Sequence, residues 1–303
     1  MKRCLAATAV MLAILISGCR SSQPGPRIRV ACSIFPLADI ARNVGKEWVD
    51  VHVLIPPGAS PHTFEPSPQE FKNFTNVRVF VMVGAGFEFW AEKLVTGSSG
   101  ESLLVVRASE GVELTSGLAS GDHRPNPTSP RAQEGNPHIW LDPAIARKIT
   151  YRIAGALARA DPDHAPSYLD NANEYACLLD SLDVEIREAI KGFKTKEYVA
   201  LHPAWHYFSE AYGLREIGVI EESPGRGPTP KQLKRIVADI AKFKIKAVFA
   251  EPQLSAKAAR AIAEEANVRV LILDPLGGEG IPGRDSYLGL MRYNLGVMRE
   301  AME

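Results

Sequence analysis

Four residues far apart in the 303-residue chain, His62, His138, His202 and Asp274, each sit in a short proline-containing motif. The motifs read Pro61-His62-Thr63-Phe64-Glu65-Pro66, Asn136-Pro137-His138-Ile139-Trp140-Leu141-Asp142-Pro143, Leu201-His202-Pro203-Ala204-Trp205 and Leu273-Asp274-Pro275-Leu276-Gly277-Gly278. Three imidazoles and one carboxylate suit a four-coordinate borderline metal such as Zn²⁺. The neighbouring prolines fix the backbone and reduce the freedom lost on binding. Taken singly, each histidine reads as an ordinary loop residue, and Asp274-Pro275 as the start of a turn. The argument rests on the joint pattern.

His206 lies four residues after His202, a spacing that places two ligands on one helix face. Pro203 starts the helix, however, so His202 is expected just outside it and His206 as a packing residue. His52, His123 and His164 stand in polar contexts and read as solvated. Glu251, at the end of an apolar run, is expected to orient a ligand histidine. Trp140 and Trp205 are expected to shield the site.

These residues need a scaffold. Residues 28–34, 51–55 and 77–83 are short apolar runs, as are 198–201, 216–220, 247–250 and 268–273. Continuous rather than alternating apolar runs predict parallel strands covered on both faces. Helices are expected at 37–44, after Ser67-Pro68, at 144–160, at 165–191 and after Thr229-Pro230. The fold expected is α/β: two lobes with parallel sheets, joined by one long helix, with the metal site in the cleft between them. Ligands in such sheets bind beyond the carboxyl ends of strands. His62, His202 and Asp274 all follow strand-like runs, whereas His138 ends a long polar loop at 114–137.

Met1-Lys2-Arg3 precedes an apolar run at 4–16, shorter than the about 20 residues that span a bilayer. Leu15-Ile16-Ser17-Gly18-Cys19 then reads as a lipoprotein cleavage site, with Cys19 carrying lipid. The expected boundaries are a signal at 1–19, a flexible tether at 20–27, a first lobe at 28–142, a helical connection at 143–192 and a second lobe at 193–303. The chain is expected to act outside the cytoplasm, anchored to the membrane by lipid. Acidic and basic residues balance at 35 each, which excludes the basic excess of a nucleic-acid binder. Cys32 and Cys177 are expected not to pair.

The lipobox, the four motifs above and Ala250-Glu251-Pro252-Gln253 together resemble the bacterial zinc/manganese substrate-binding lipoproteins that feed metal ABC transporters, the ZnuA/TroA-like group. The resemblance covers nearly all of the chain after the signal. It implies two α/β lobes on a long helix, His62, His138, His202 and Asp274 as ligands, delivery to an ABC permease in the cytoplasmic membrane, a monomer, and no catalysis. In that group manganese binders commonly carry a carboxylate at the third position and zinc binders a histidine, so His202 implies Zn²⁺, with Mn²⁺ or Fe²⁺ as the alternative cargo. The 114–137 loop departs from many zinc members, holding only His123 with Asp122 and Glu134.

An extracellular zinc hydrolase is the alternative of another class, with Glu65 or Glu251 as base. The chain lacks a His-Glu-x-x-His or Gly-x-Ser-x-Gly motif. Gly84-Ala85-Gly86 is an incomplete dinucleotide fingerprint, and Gly225-Arg226-Gly227 lacks the rest of a phosphate loop. Surface adhesion has no residue-level support.

Overall fold

Strand after strand of apolar residues is hydrogen-bonded in parallel, and the strands form two sheets with the same order. The computed structural model describes residues 27–97, 103–115, 135–221 and 227–303. The signal, Cys19, tether residues 20–26, His123 and most of the 114–137 loop lie outside the described residues.

The first sheet runs β2-β1-β3-β4, from β1 (Ile28–Cys32), β2 (Val49–Val53), β3 (Val79–Met82) and β4 (Leu104–Arg107). The second runs β6-β5-β7-β8, from β5 (Glu197–Ala200), β6 (Arg215–Val219), β7 (Ala247–Ala250) and β8 (Arg269–Ile272). Every pairing is parallel. The inner strands β3 and β7 are buried at every position, as the continuous apolar runs require.

Around the first sheet lie α1 (Phe35–Gly45), α2 (Pro68–Asn73), α3 (Ala91–Gly97) and α4 (Pro143–Ala160). Ser67 caps α2 through a reciprocal capping box with Glu70, and Asp142 caps α4 by accepting from Ala144 N at 2.7 Å. α5 (Ala165–Lys191) has 27 residues, a length of about 40 Å at 1.5 Å per residue. Its buried residues Tyr168, Ala172, Tyr175, Leu179, Leu182, Ile186 and Ile190 recur at helical spacing. That stripe packs on α1 and α4 of the first lobe, and on α6 (His206–Tyr212) and α9 (Tyr287–Met302) of the second. The second lobe is completed by α7 (Pro230–Phe243), capped by a Thr229–Gln232 box, and α8 (Lys257–Ala266).

The predicted elements all form. β2 starts two residues earlier than its apolar run and stops at Val53, although Leu54 and Ile55 still donate to Cys32 O and Ser33 O at 2.9 and 3.0 Å. α3, β4 and α9 carry no reading from sequence. Cys32 is buried and Cys177 exposed, both as free thiols. His164 departs from its solvated reading: its ring stacks on Trp48 at 3.8 Å and its Nδ1 lies 2.6 Å from Asp161 Oδ2.

The lobes are stitched together by buried polar groups. Asp39 of α1 accepts from Tyr287 N at 2.8 Å, at the start of α9, and from the Tyr175 hydroxyl of α5 at 3.2 Å. The Tyr287 hydroxyl donates to Trp140 O at 2.7 Å, and Trp140 Nε1 donates to Pro275 O at 2.8 Å.

Glu216 on β6 is buried with Tyr198, whose hydroxyl donates to it at 3.2 Å. Burial, with the nearby Glu251 carboxylate adding to it, pushes the Glu216 carboxyl up to about 8. The unfolded carboxyl ionises near pH 4.3, so stability falls as pH rises from there through the folded value. Glu216→Gln is expected to raise Tm at pH 8 relative to the parent protein, by about 2–4 °C for each kcal/mol recovered, and to lose that advantage near pH 4. Thermal melts at the two pH values check it.

Candidate metal centre

In both sheets the order in which the chain adds strands reverses between the second and third positions, β1 beside β3 and β5 beside β7. Such switch points open a crevice beyond the carboxyl ends of the strands. His202 stands two residues after the end of β5 and Glu251 immediately after β7. The two side chains meet across that crevice, with His202 Nδ1 2.5 Å from Glu251 Oε1 and both groups buried. His62 comes from the turn after β2, and His138 from the segment leading into α4.

The ligand nitrogens of His62, His138 and His202 all lie within 4.8 Å of one another. Their ring centroids are 4.9–5.5 Å apart. The first lobe supplies two imidazoles and the second lobe one. They line a small cavity with Ser60, Phe87, Trp140, Gln253 and Leu276. A more voluminous cleft lies elsewhere, beside His52 and the Arg42–Glu279 ion pair, and none of the three imidazoles lines it.

The tautomers follow from the partners. Asn136 Nδ2 donates to Pro203 O at 2.6 Å, which fixes its Oδ1 as acceptor for His138 N at 2.9 Å and His138 Nδ1 at 2.8 Å. Nδ1 of His138 therefore carries the hydrogen and Nε2 a bare lone pair. A carboxylate at His202 Nδ1 makes that nitrogen the donor and turns Nε2 toward His138. The two Nε2 atoms face each other at 3.1 Å. Two such nitrogens approach favourably with a proton or a metal cation between them. Burial, then the nearby His202 and His62, push His138 well below the ordinary histidine range. The ring is held neutral, as a metal ligand must be. Ser60 Oγ, Glu251 Oε2 and Gln253 Oε1 also line the cavity and have no hydrogen-bond partner among the described residues. The donor set and these unmatched oxygens fit a bound, hydrated cation.

Asp274 follows β8 and is buried, but its carboxylate is not one of the converging group. Its Oδ1 accepts from Gln253 Nε2 at 2.8 Å, Leu276 N at 3.1 Å and Gly277 N at 3.0 Å. Its Oδ2 accepts from Arg284 Nη1 at 2.9 Å. Pro275 and Leu276 line the cavity, so Asp274 stands directly behind its wall.

Among the remaining expectations, His206 is buried against Tyr207, with Glu210 3.5 Å away. Trp140 lines the cavity, its ring 5.3 Å from that of His138, whereas Trp205 is buried against Phe208. Glu65 is exposed. Glu88 escaped the sequence reading. Its carboxylate accepts from Val83 N at 2.7 Å and Gly84 N at 3.0 Å, and burial pushes it up to about 6. These two amides belong to the turn that began the weak dinucleotide fingerprint, and an internal anion already occupies them.

The profile of the family described as ZnuA, zinc-uptake complex component A, periplasmic, matches residues 30–301. The high-affinity zinc uptake system protein ZnuA of Bacillus subtilis (strain 168) is 25% identical over 95% of this chain and 94% of its own length. The zinc-binding protein AdcA of Streptococcus pyogenes serotype M3 is 27% identical over 90% of this chain, which spans only 56% of that longer protein. A crystal structure of ZnuA superposes with a TM-score of 0.81 at 26% identity, covering 92% of this chain and all of that one. The chain belongs to the family of zinc-uptake complex component A proteins.

Proposed function

We propose that the protein is an extracytoplasmic receptor that captures Zn²⁺ between its lobes and delivers it to an ABC-type membrane permease. His62, His138 and His202 are the proposed ligands, with Asp274 as the carboxylate behind them. The observation that carries this reading is the convergence of three imidazole nitrogens within 4.8 Å of one another, two of them 3.1 Å apart. Three imidazole nitrogens favour zinc over manganese, which prefers oxygen, and over iron(II), which lies lower in the divalent affinity series. Family membership and the zinc named for its relatives support the cargo.

The site binds and releases; it does no chemistry on the metal. A hydrolase would need a base free to act on metal-bound water. Glu65 is exposed and Glu251 holds His202 through Oε1 while its Oε2 lines the cavity, so it is the match to the zinc-uptake family that favours the receptor reading. A lipid anchor on Cys19 is part of the proposal, since no described helix is long and apolar enough to cross a membrane. The contacts of α5 with both lobes support only small lobe motion on binding.

Competitive calorimetry on metal-stripped protein, titrated with Zn²⁺ and Mn²⁺, tests the reading. One tight zinc site is expected, with zinc strongly preferred. Preference for manganese would change the cargo, and no tight site for either would end the metal reading. His202→Ala is expected to weaken zinc by more than the about 10–100-fold that loss of an outer partner costs. Glu251→Ala is expected to fall within that about 10–100-fold range, because the imidazole remains but loses its orientation.

A further inference from the structure

The loop after Asp274 folds back on itself. Gly278 N donates to Arg284 O at 3.0 Å, and Arg284 N to Ile281 O at 2.9 Å. Gly277 has φ of +62°, and a Cβ there would lie 2.4 Å from Arg284 O, so only glycine allows this closure. The closure sets the Arg284 guanidinium on Asp274 Oδ2 at 2.9 Å and over the Tyr293 ring, 4.7 Å from its centroid. Asn294 clamps Asp274 from below, accepting from its N–H at 2.8 Å and donating to its carbonyl at 2.7 Å. The Asp274 carboxylate thus has four donors in all, and its charge is matched by a guanidinium held by a loop and a ring.

We propose that Arg284 is a specificity-determining residue, which keeps Asp274 off the metal and leaves the cargo a three-imidazole site. The inference rests on the proposed zinc-receptor function. With Oδ1 saturated by three donors, only Oδ2 has a lone pair to offer, and Arg284 both occupies that atom and neutralises its charge. A cation moving onto Oδ2 would approach a guanidinium of like charge. The converging ligands are then the three imidazoles, and the Asp274 carboxylate is withheld from the ion. Nitrogen ligands suit zinc, and manganese is denied this hard anionic oxygen. Metal choice is set by a residue that never touches the metal.

The test measures the ratio of Mn²⁺ to Zn²⁺ dissociation constants by competitive calorimetry on the full chain, for the parent protein, Arg284→Gln and Arg284→Gln/Asp274→Asn. A released unit charge acting on a divalent ion through the interior of a protein changes affinity by about tenfold or more. Arg284→Gln is expected to lower the ratio by about tenfold as the freed carboxylate reaches the metal, and the double variant to return it to the parent value. An unchanged or raised ratio in Arg284→Gln, or a gain that survives in the double variant, would overturn the role of Arg284 while leaving the receptor reading intact. Absence of zinc binding by the parent protein would remove both. Should Arg284→Gln fail to fold, a crystal structure of the zinc-loaded parent decides. Asp274 Oδ2 still on Arg284 supports the proposal, and Asp274 Oδ2 on the zinc overturns it.

Discussion

Two imidazole nitrogens, each turned inward by a partner on the far side of its ring, face each other at 3.1 Å. The arrangement calls for a cation between the rings, and the surrounding structure maintains it. Asn136 and Glu251 set the tautomers from opposite lobes. Asn136 is itself fixed by Pro203 O and accepts from the Tyr207 hydroxyl at 2.7 Å, so the support of His138 is built from residues that follow His202. Each ligand is oriented partly by the neighbourhood of another. A close approach of this kind persists only where the scaffold over-determines the geometry.

That over-determination comes from the seam. Trp140 and Tyr287 exchange hydrogen bonds with the opposite lobe, α5 packs against both, and Gly278 meets Pro57 so closely that a Cβ would lie 2.9 Å from the proline ring. The lobes are in register to within a side chain. A site held this firmly gains affinity by reducing the ordering cost of binding. Selectivity by reach follows too, because an ion needing a larger or more oxygen-rich shell must move elements that resist it.

The sequence made the scaffold legible where the physics is local. Continuous apolar runs marked the strands, and Ser67-Pro68 and Thr229-Pro230 marked helix starts that formed with full capping boxes. Proline motifs marked the three histidines that converge. What was not legible depended on pairing at a distance. α3 has seven residues, too few to show a period. Glu88 has no motif and acts by capping amides five and four residues before it. Arg284 lies ten residues beyond Asp274, and nothing in its spacing announces the ion pair. The sequence showed which carboxylate stands near the site, and only the structure shows what that carboxylate is already holding.

The Asp39 stitch has a consequence for the history of each molecule. Its donor, Tyr287 N, is 248 positions further along the chain. Both lobes can begin to form as their strands are made, but the first helix receives its partner only when the last helix arrives. The Tyr287 hydroxyl that holds Trp140, two residues from His138, arrives at the same moment. A chain lacking its last helix therefore has both lobes' strands but neither the Asp39 contact nor the Tyr287 hydroxyl that holds Trp140 beside His138, so the C-terminal helix is a structural requirement of a metal site it does not touch.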